Sequence, residues 1–313
     1  LDEVTYPRKS PSIEKSLDFH VPSEYSSIQS AIDAASASGG NNISIMVEEG
    51  EYRESIVADG LKNLKLIGRM ARILPPRDFE FTDTPGDDNF PVSSLTLINC
   101  ENFRVEGFTF MGDDFAESII HSFPMGIAIH LYNSTGTVCN NIIFNYFDGI
   151  FFQVDDPRWM KGDISDNYIH NCLWSGILAT GSHNLKIVNN KIAFTIPKEL
   201  SISVGIWADG GTGIISENQI SHFKAMDFHP QQLTGSRSEL WQARFRFTEI
   251  MDYQVFDNSF EQSADRTQLS KFEMPYNIAY RILPERLRLN NHYISVGRES
   301  NTSNHANMVM LPK

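Results

Sequence analysis

The densest group of reactive side chains in this sequence is Val154-Asp-Asp-Pro-Arg-Trp-Met-Lys, where Asp155, Asp156, Arg158 and Lys161 fall within seven residues. Paired carboxylates beside cations serve two kinds of carbohydrate chemistry. In glycoside cleavage, one carboxyl supplies the acid and the other the base or nucleophile. In proton abstraction from a uronate, a cation neutralises the substrate carboxylate while a neighbouring group takes the proton from carbon. Without a substrate nearby, the same residues make a solvated turn with local salt bridges. The groups that could exchange protons beside it are His130, Tyr132 and His183.

What brings these residues near one another is a repeat. Gly126-Ile-Ala-Ile-His leads to Asn140-Asn-Ile-Ile, and Gly149-Ile-Phe-Phe-Gln leads to Asp166-Asn-Tyr-Ile. Gly176-Ile-Leu-Ala-Thr leads to Asn189-Asn-Lys-Ile, and Gly205-Ile-Trp-Ala-Asp leads to Glu217-Asn-Gln-Ile. Subtracting 126, 149, 176 and 205 in turn gives spacings of 23, 27 and 29 residues. Short strands at such a period predict one solenoid coil per repeat, because a single coil cannot bury its own apolar face. Stacked coils share that face, as strands of a parallel sheet do.

Strand alternation then divides each strand into two faces. Ile127/Ile129, Ile150/Phe152, Ile177/Ala179 and Ile206/Ala208 are expected inside. His130, Gln153, Thr180 and Asp209 form one expected outward row, and Ala128, Phe151, Leu178 and Trp207 another. A polar row beside exposed aromatic faces suits a sugar polymer, whose hydroxyls bond the one while its ring faces cover the other. The alternative is that the row is covered and merely packed. Asn141, Asn167, Asn190 and Asn218 are expected at turns, in left-handed backbone and bonded from coil to coil, and are read as structural rather than catalytic.

Upstream, Pro22-Ser-Glu-Tyr-Ser-Ser-Ile-Gln-Ser-Ala-Ile-Asp-Ala-Ala carries Ile28, Ala31, Ile32 and Ala35 on one helical face, which predicts a helix at about 24–37 covering the open first coil. The next stretch, Ile43-Ser-Ile-Met-Val-Glu-Glu-Gly-Glu-Tyr-Arg, followed by Leu64-Lys-Leu-Ile-Gly, resembles the opening coils of the pectin-lyase-like superfamily. The resemblance covers about residues 20–223 and implies an all-β fold, a right-handed parallel β-helix with an N-terminal capping helix. Two families of that fold share shorter fragments. Asp156-Pro-Arg, Asp166-Asn and Ser175-Gly-Ile are similar to the Asp-Pro-His-Asp coil of mannuronan C5-epimerases, with Arg158 where those enzymes have His. Asp155-Asp156 with Gly181-Ser-His is similar to elements of polygalacturonase-type glycosidases, although Asn133-Ser-Thr replaces their Asn-Thr-Asp.

These readings predict a single domain over 1–313: coils at about 43–223, a long loop at 224–247 around Pro230 and Gly235, further coils to about 296, and a tail at 298–313. The expected activity is β-elimination or C5-epimerisation of a uronate-containing polysaccharide. Arg158 or Lys161 would neutralise the substrate, His130 or Tyr132 would exchange protons, and Asp155 or Asp156 would orient a cation such as calcium. Tyr132, Phe151, Gln153, Lys161, Thr180, His183, Trp207 and Asp209 would bind the chain of sugars. The competing readings are a glycosidase pairing Asp155 or Asp156 with Asp209, a non-catalytic glycan-binding or adhesion module, and a reaction on a small molecule.

The 313-residue composition narrows the partners. A net charge of −13 disfavours nucleic acid and anionic membrane, and a polyanionic substrate requires a local cation. No apolar run approaches the roughly 20 residues that cross a bilayer. Cys100, Cys139 and Cys172 lack metal-ligand spacing and are expected as buried free thiols. Leu1 stands where an initiator Met would, and no basic start precedes an apolar block, so export with a removed signal is the expected location. Asn42, Asn133 and Asn301 fit the glycosylation pattern.

Overall fold

A computed structural model of the chain describes residues 16–76, 93–112, 126–155, 161–172, 175–181, 184–193, 204–209, 211–223, 251–256, 259–262, 278–279 and 292–295. The loop expected at 224–247 and the tail at 298–313 lie outside them. The described chain winds as a right-handed parallel β-helix whose strands stack into three parallel sheets, of nine, nine and seven strands among the described residues. The first sheet runs from Leu17–Val21 to Met251–Phe256, the second from Gly50–Arg53 to His292–Ser295, and the third from Ile56–Asp59 to Ile278–Ala279. Among the described residues, stacking thus begins with Leu17–Val21, which pairs with Asn41–Val47 ahead of the expected first coil. That strand precedes the helix and is too short to show a repeat.

Inside the coils, Ile129, Ile150, Ile177 and Ile206 stand in one register and are each fully buried. Burying such a side chain stabilises the fold by about 1.5–3 kcal/mol. The register corrects one alignment: Ile127 pairs with Asp148, and Ile129 rather than Ile127 pairs with Ile150. Gly126 is therefore not the counterpart of Gly149; Ala128 takes that place. Ala128, expected outside, joins the main core, whereas Ile127, expected within it, clusters separately with Phe151 and Leu178. The slip of two residues kept the faces of His130 and Tyr132 unchanged, since strand alternation has a period of two.

Gly149 and Gly176 are needed where they stand. A Cβ on Gly149 would lie 2.4 Å from the carbonyl oxygen of Gly176, and one on Gly176 would lie 2.7 Å from that of Gly205. The backbones of successive coils approach too closely there for a side chain.

The asparagine ladder is present with a different division of labour. Left-handed backbone falls on the preceding residues, Asn140, Asp166, Asn189 and Glu217, with φ of 55°, 59°, 55° and 59°. The ladder residues themselves are buried. Asn167 donates its backbone N–H (3.1 Å) and side-chain Nδ2 (3.0 Å) to Asn190 Oδ1, and Asn190 does the same to Asn218 Oδ1 at 2.9 and 3.0 Å. At the other end, Asn141 Oδ1 accepts from the Phe108 N–H at 3.1 Å. Each turn thereby satisfies buried backbone groups that the strands leave unpaired.

The helix spans Ile28–Ala37, shorter at its start than expected because Ser27 and Ser30 form a capping box. Its buried face is Ile28, Ala31, Ile32 and Ala35. Glu54 clamps its N-terminus, accepting from the N–H groups of Ile28 and Gln29 at 2.9 Å each. The Gln29 amide bonds Val57 in both directions, at 3.0 and 2.7 Å, on the terminal strand of the third sheet. The side chain acts there like another peptide unit and blunts an edge that would otherwise recruit a strand. No described helix is long and apolar enough to cross a membrane.

Candidate functional site

The last residues of four successive strands in the third sheet fall in one register: Tyr132, Gln153, Thr180 and Asp209. A second register on the same outer face holds His130, Phe151, Leu178 and Trp207. The expected row of His130 with Gln153, Thr180 and Asp209 is thus corrected: Tyr132 belongs to that row, and His130 to the aromatic one. The cause is the Gly126 misalignment.

Where these strands turn towards the first sheet, four side chains link into a polar chain. Tyr132 Oη donates to Asp155 Oδ2 at 2.9 Å. Gln153 Nε2 donates to the same oxygen at 3.4 Å, and Gln153 Oε1 lies 3.3 Å from His130 Nε2. A carboxylate only accepts, so the Gln153 amide turns its nitrogen to Asp155 and its oxygen to His130. The proton on His130 is then assigned to Nε2. Asn133 Oδ1 accepts from the Asp155 N–H at 2.9 Å and fixes the start of the turn. With its side chain so engaged and buried, Asn133 has a structural role at this bend.

Exposure sorts the group. Asp155 is exposed, and Tyr132 and Gln153 are half-buried, whereas His130 is 0% exposed and its ring stacks on Phe151 at 5.0 Å and 12°. Phe151, Leu178 and Thr180 are buried too. The outward positions expected at Phe151 and Leu178 are therefore packed. His130 supports the network from beneath and cannot itself meet a polymer at the surface. Lys161 is exposed immediately before strand Gly162–Ser165. Asp156, Arg158 and His183 lie outside the described residues, as do the side chains of Trp207 and Asp209. By register, the strand ending at Asp209 stands two coils from the one ending at Gln153, roughly 10 Å at the usual strand spacing.

A second buried polar pair escaped the sequence reading. Asp148 and Ser175 are register partners, and the Ser175 hydroxyl donates to the Asp148 carboxylate. Burial pushes the Asp148 carboxyl up to about 7, against the opposing pull of the Ser175 hydrogen bonds. The available signal was a polar residue immediately before Gly149 and again before Gly176. The three thiols are free and buried, and burial raises all three, Cys100 and Cys139 to about 11. Among the described residues, no group of three or more His, Cys, Asp or Glu side chains is placed to hold a metal ion.

A family model described as a right-handed β-helix region matches residues 95–225. Among solved structures, the chain is similar to PfbA, a surface adhesin of Streptococcus pneumoniae. The two are 15% identical, and the match covers 84% of this chain and 81% of that chain with a TM-score of 0.44. No curated protein matches.

Proposed function

We propose that the protein acts on a uronate-containing polysaccharide lying along the outer edge of the third sheet, by abstraction of the C5 proton leading to β-elimination or C5-epimerisation. The observation that carries this reading is the Tyr132 Oη to Asp155 Oδ2 hydrogen bond of 2.9 Å, an acid and a base joined at an accessible edge. In elimination the carboxylate takes the C5 proton, the C4–O4 bond breaks, and the phenol gives its proton to the departing O4. Epimerisation would need a proton delivered to C5 from the opposite face, so the pair, joined on one side, favours elimination. Gln153 holds Asp155 in place, and His130, through Gln153, is a positioning residue. Lys161, and Arg158 three residues before it in the sequence, supply positive charge to the substrate carboxylate, which a chain of net charge −13 must provide locally.

Incubation with polygalacturonate, alginate and neutral glycans tests the proposal. Ultraviolet absorbance from an unsaturated uronate reports elimination, and deuterium uptake at C5 without cleavage reports epimerisation. New reducing ends without absorbance would instead support a glycosidase. The second reading is glycan binding without turnover. It is favoured by the burial of His130 and Phe151, which leaves a polar strip of Tyr132, Gln153 and Asp155. Retained binding with silence in all three assays would select it.

A further inference from the structure

The second sheet carries an outward face that the site on the third sheet does not use. Thr109, Ile142, Tyr168, Lys191 and Gln219 stand in one register on it, a residue per coil. Ile142 and Tyr168 are 44% and 39% exposed. Two other described large hydrophobic residues are exposed, Val57 on the third sheet and Met70 at a turn, and neither stands in this row. Single exposed apolar residues are ordinary, but an aliphatic and an aromatic side by side on a flat sheet form a surface with a direction.

The chemistry around this pair is polar and specific. Tyr168 lies nearly parallel to His170, at 6.1 Å and 9°, so the two rings stack along one strand. Lys191 Nζ rests 5.6 Å from the centre of the Tyr168 ring, and among the described residues it makes no salt bridge. The row continues past Thr109 to Arg72 and Glu51, which pair with each other at 3.4 Å, and past Gln219 to Ser259. The neighbouring register, Met111, Phe144, His170 and Ala193, adds no carboxylate. Asp166 and Glu217 stand on the adjoining turn, where Asp166 accepts from Asn189 Nδ2 at 2.7 Å. In a chain of net charge −13, this row therefore presents a cation that makes no salt bridge among the described residues, beside an exposed ring.

We propose that this face is a binding platform for an acidic linear polysaccharide, distinct from the Tyr132–Asp155 edge. A polymer lying along the solenoid axis crosses one strand about every 4.8 Å and meets Ile142, Tyr168 and Lys191 in succession. The Tyr168 ring covers the apolar face of one sugar, and Lys191 meets the carboxylate of the next. Charge complementarity selects the acidic polymer over a neutral one. The patch is too narrow and too polar at its ends to serve as the core of a protein interface, which needs on the order of 800 Å² on each partner.

Binding of the full chain to polygalacturonate, alginate and neutral mannan is measured by affinity electrophoresis at low and moderate salt. Tyr168→Ala is expected to weaken binding of the acidic polymers about tenfold, the worth of one good ring contact. Lys191→Gln is expected to abolish both their advantage over mannan and the salt dependence of binding. Both side chains are exposed, and unchanged thermal melting confirms that the variants are folded. Turnover of short soluble oligosaccharides is expected to be unchanged in both, whereas Asp155→Asn removes turnover and leaves binding at this face. Wild-type affinity unaltered by either substitution would overturn the platform, and so would equal affinity for mannan or no binding of any glycan. Loss of Asp155-dependent turnover with the platform intact would leave this inference standing; the reverse would leave the other site standing.

Discussion

Replacing Asn190 tests whether the solenoid depends on its buried ladder. Asn190 Oδ1 accepts from the Asn167 N–H at 3.1 Å and from Asn167 Nδ2 at 3.0 Å, and Asn190 Nδ2 donates to Ile164 O at 2.8 Å, Val188 O at 3.2 Å and Asn218 Oδ1 at 3.0 Å. Asn190→Ala strands the Asn167 N–H without an acceptor, at about 1–3 kcal/mol, and removes four further bonds worth about 0.5–1.5 kcal/mol each where other partners remain. The expected loss is about 3–9 kcal/mol. Asn190→Asp keeps the shape but turns an acceptor oxygen towards the Ile164 and Val188 carbonyls. Its carboxyl therefore holds its proton in the fold to a higher pH than in the unfolded chain. Stability from that proton is present below the unfolded value of about 3.9 and lost as pH rises. Relative to wild type, Asn190→Asp should cost less than Asn190→Ala at pH ~4 and at least as much at pH ~7. Guanidinium unfolding of the three proteins at both pH values checks this. A cost under about 1 kcal/mol for Asn190→Ala, or a pH-independent cost for Asn190→Asp, would refute the ladder's role.

The Asp148 carboxyl, raised to about 7 from an ordinary 3.8, binds its proton more tightly in the fold. Its contribution is full below the ordinary value and lost as pH rises through 7, so Asp148→Asn should flatten wild-type unfolding stability across that window; an unchanged slope contradicts it. Glu54→Ala removes the clamp on the helix and should cost about 1–3 kcal/mol, with faster hydrogen exchange at the Ile28 and Gln29 amides; unaltered exchange contradicts it. Cys100, Cys139 and Cys172 should resist a thiol reagent in the native protein at neutral pH, and all three should react in denaturant.

The coils were legible because their signals repeat. Ile150, Ile177 and Ile206, each after a glycine, and Asn141, Asn167, Asn190 and Asn218 recur once per coil, and each copy corroborates the others. Gly126 misled because it mimics the repeat two residues early, where only stacking distinguishes it from Ala128. The faces of Tyr132, Gln153 and Asp155 survived that error, but burial did not follow from alternation: His130 and Phe151 point outward and are nevertheless covered. A period of two tells which side of a sheet a residue occupies and not whether that side is covered. The left-handed positions were placed one residue late, on Asn141, Asn167, Asn190 and Asn218, because asparagine is the residue type that most readily adopts that backbone. Asp148 with Ser175, and Glu54 on the helix end, were not legible, since each pair is made by packing between segments 27, 26 or 25 residues apart.

The account rests most directly on the Tyr132–Asp155 pair. The decisive measurement is deuterium incorporation at C5, together with unsaturated-uronate absorbance, for a uronan incubated in D2O with wild type and with Tyr132→Phe. Phenylalanine keeps the ring and removes the proton. Wild type is expected to yield elimination or exchange, and Tyr132→Phe to lose at least about a hundredfold in rate, the low end of general acid–base contributions. Turnover by Tyr132→Phe equal to that of wild type, or a folded wild type inert in both readouts with every uronan, would contradict the assignment of acid–base chemistry to this edge.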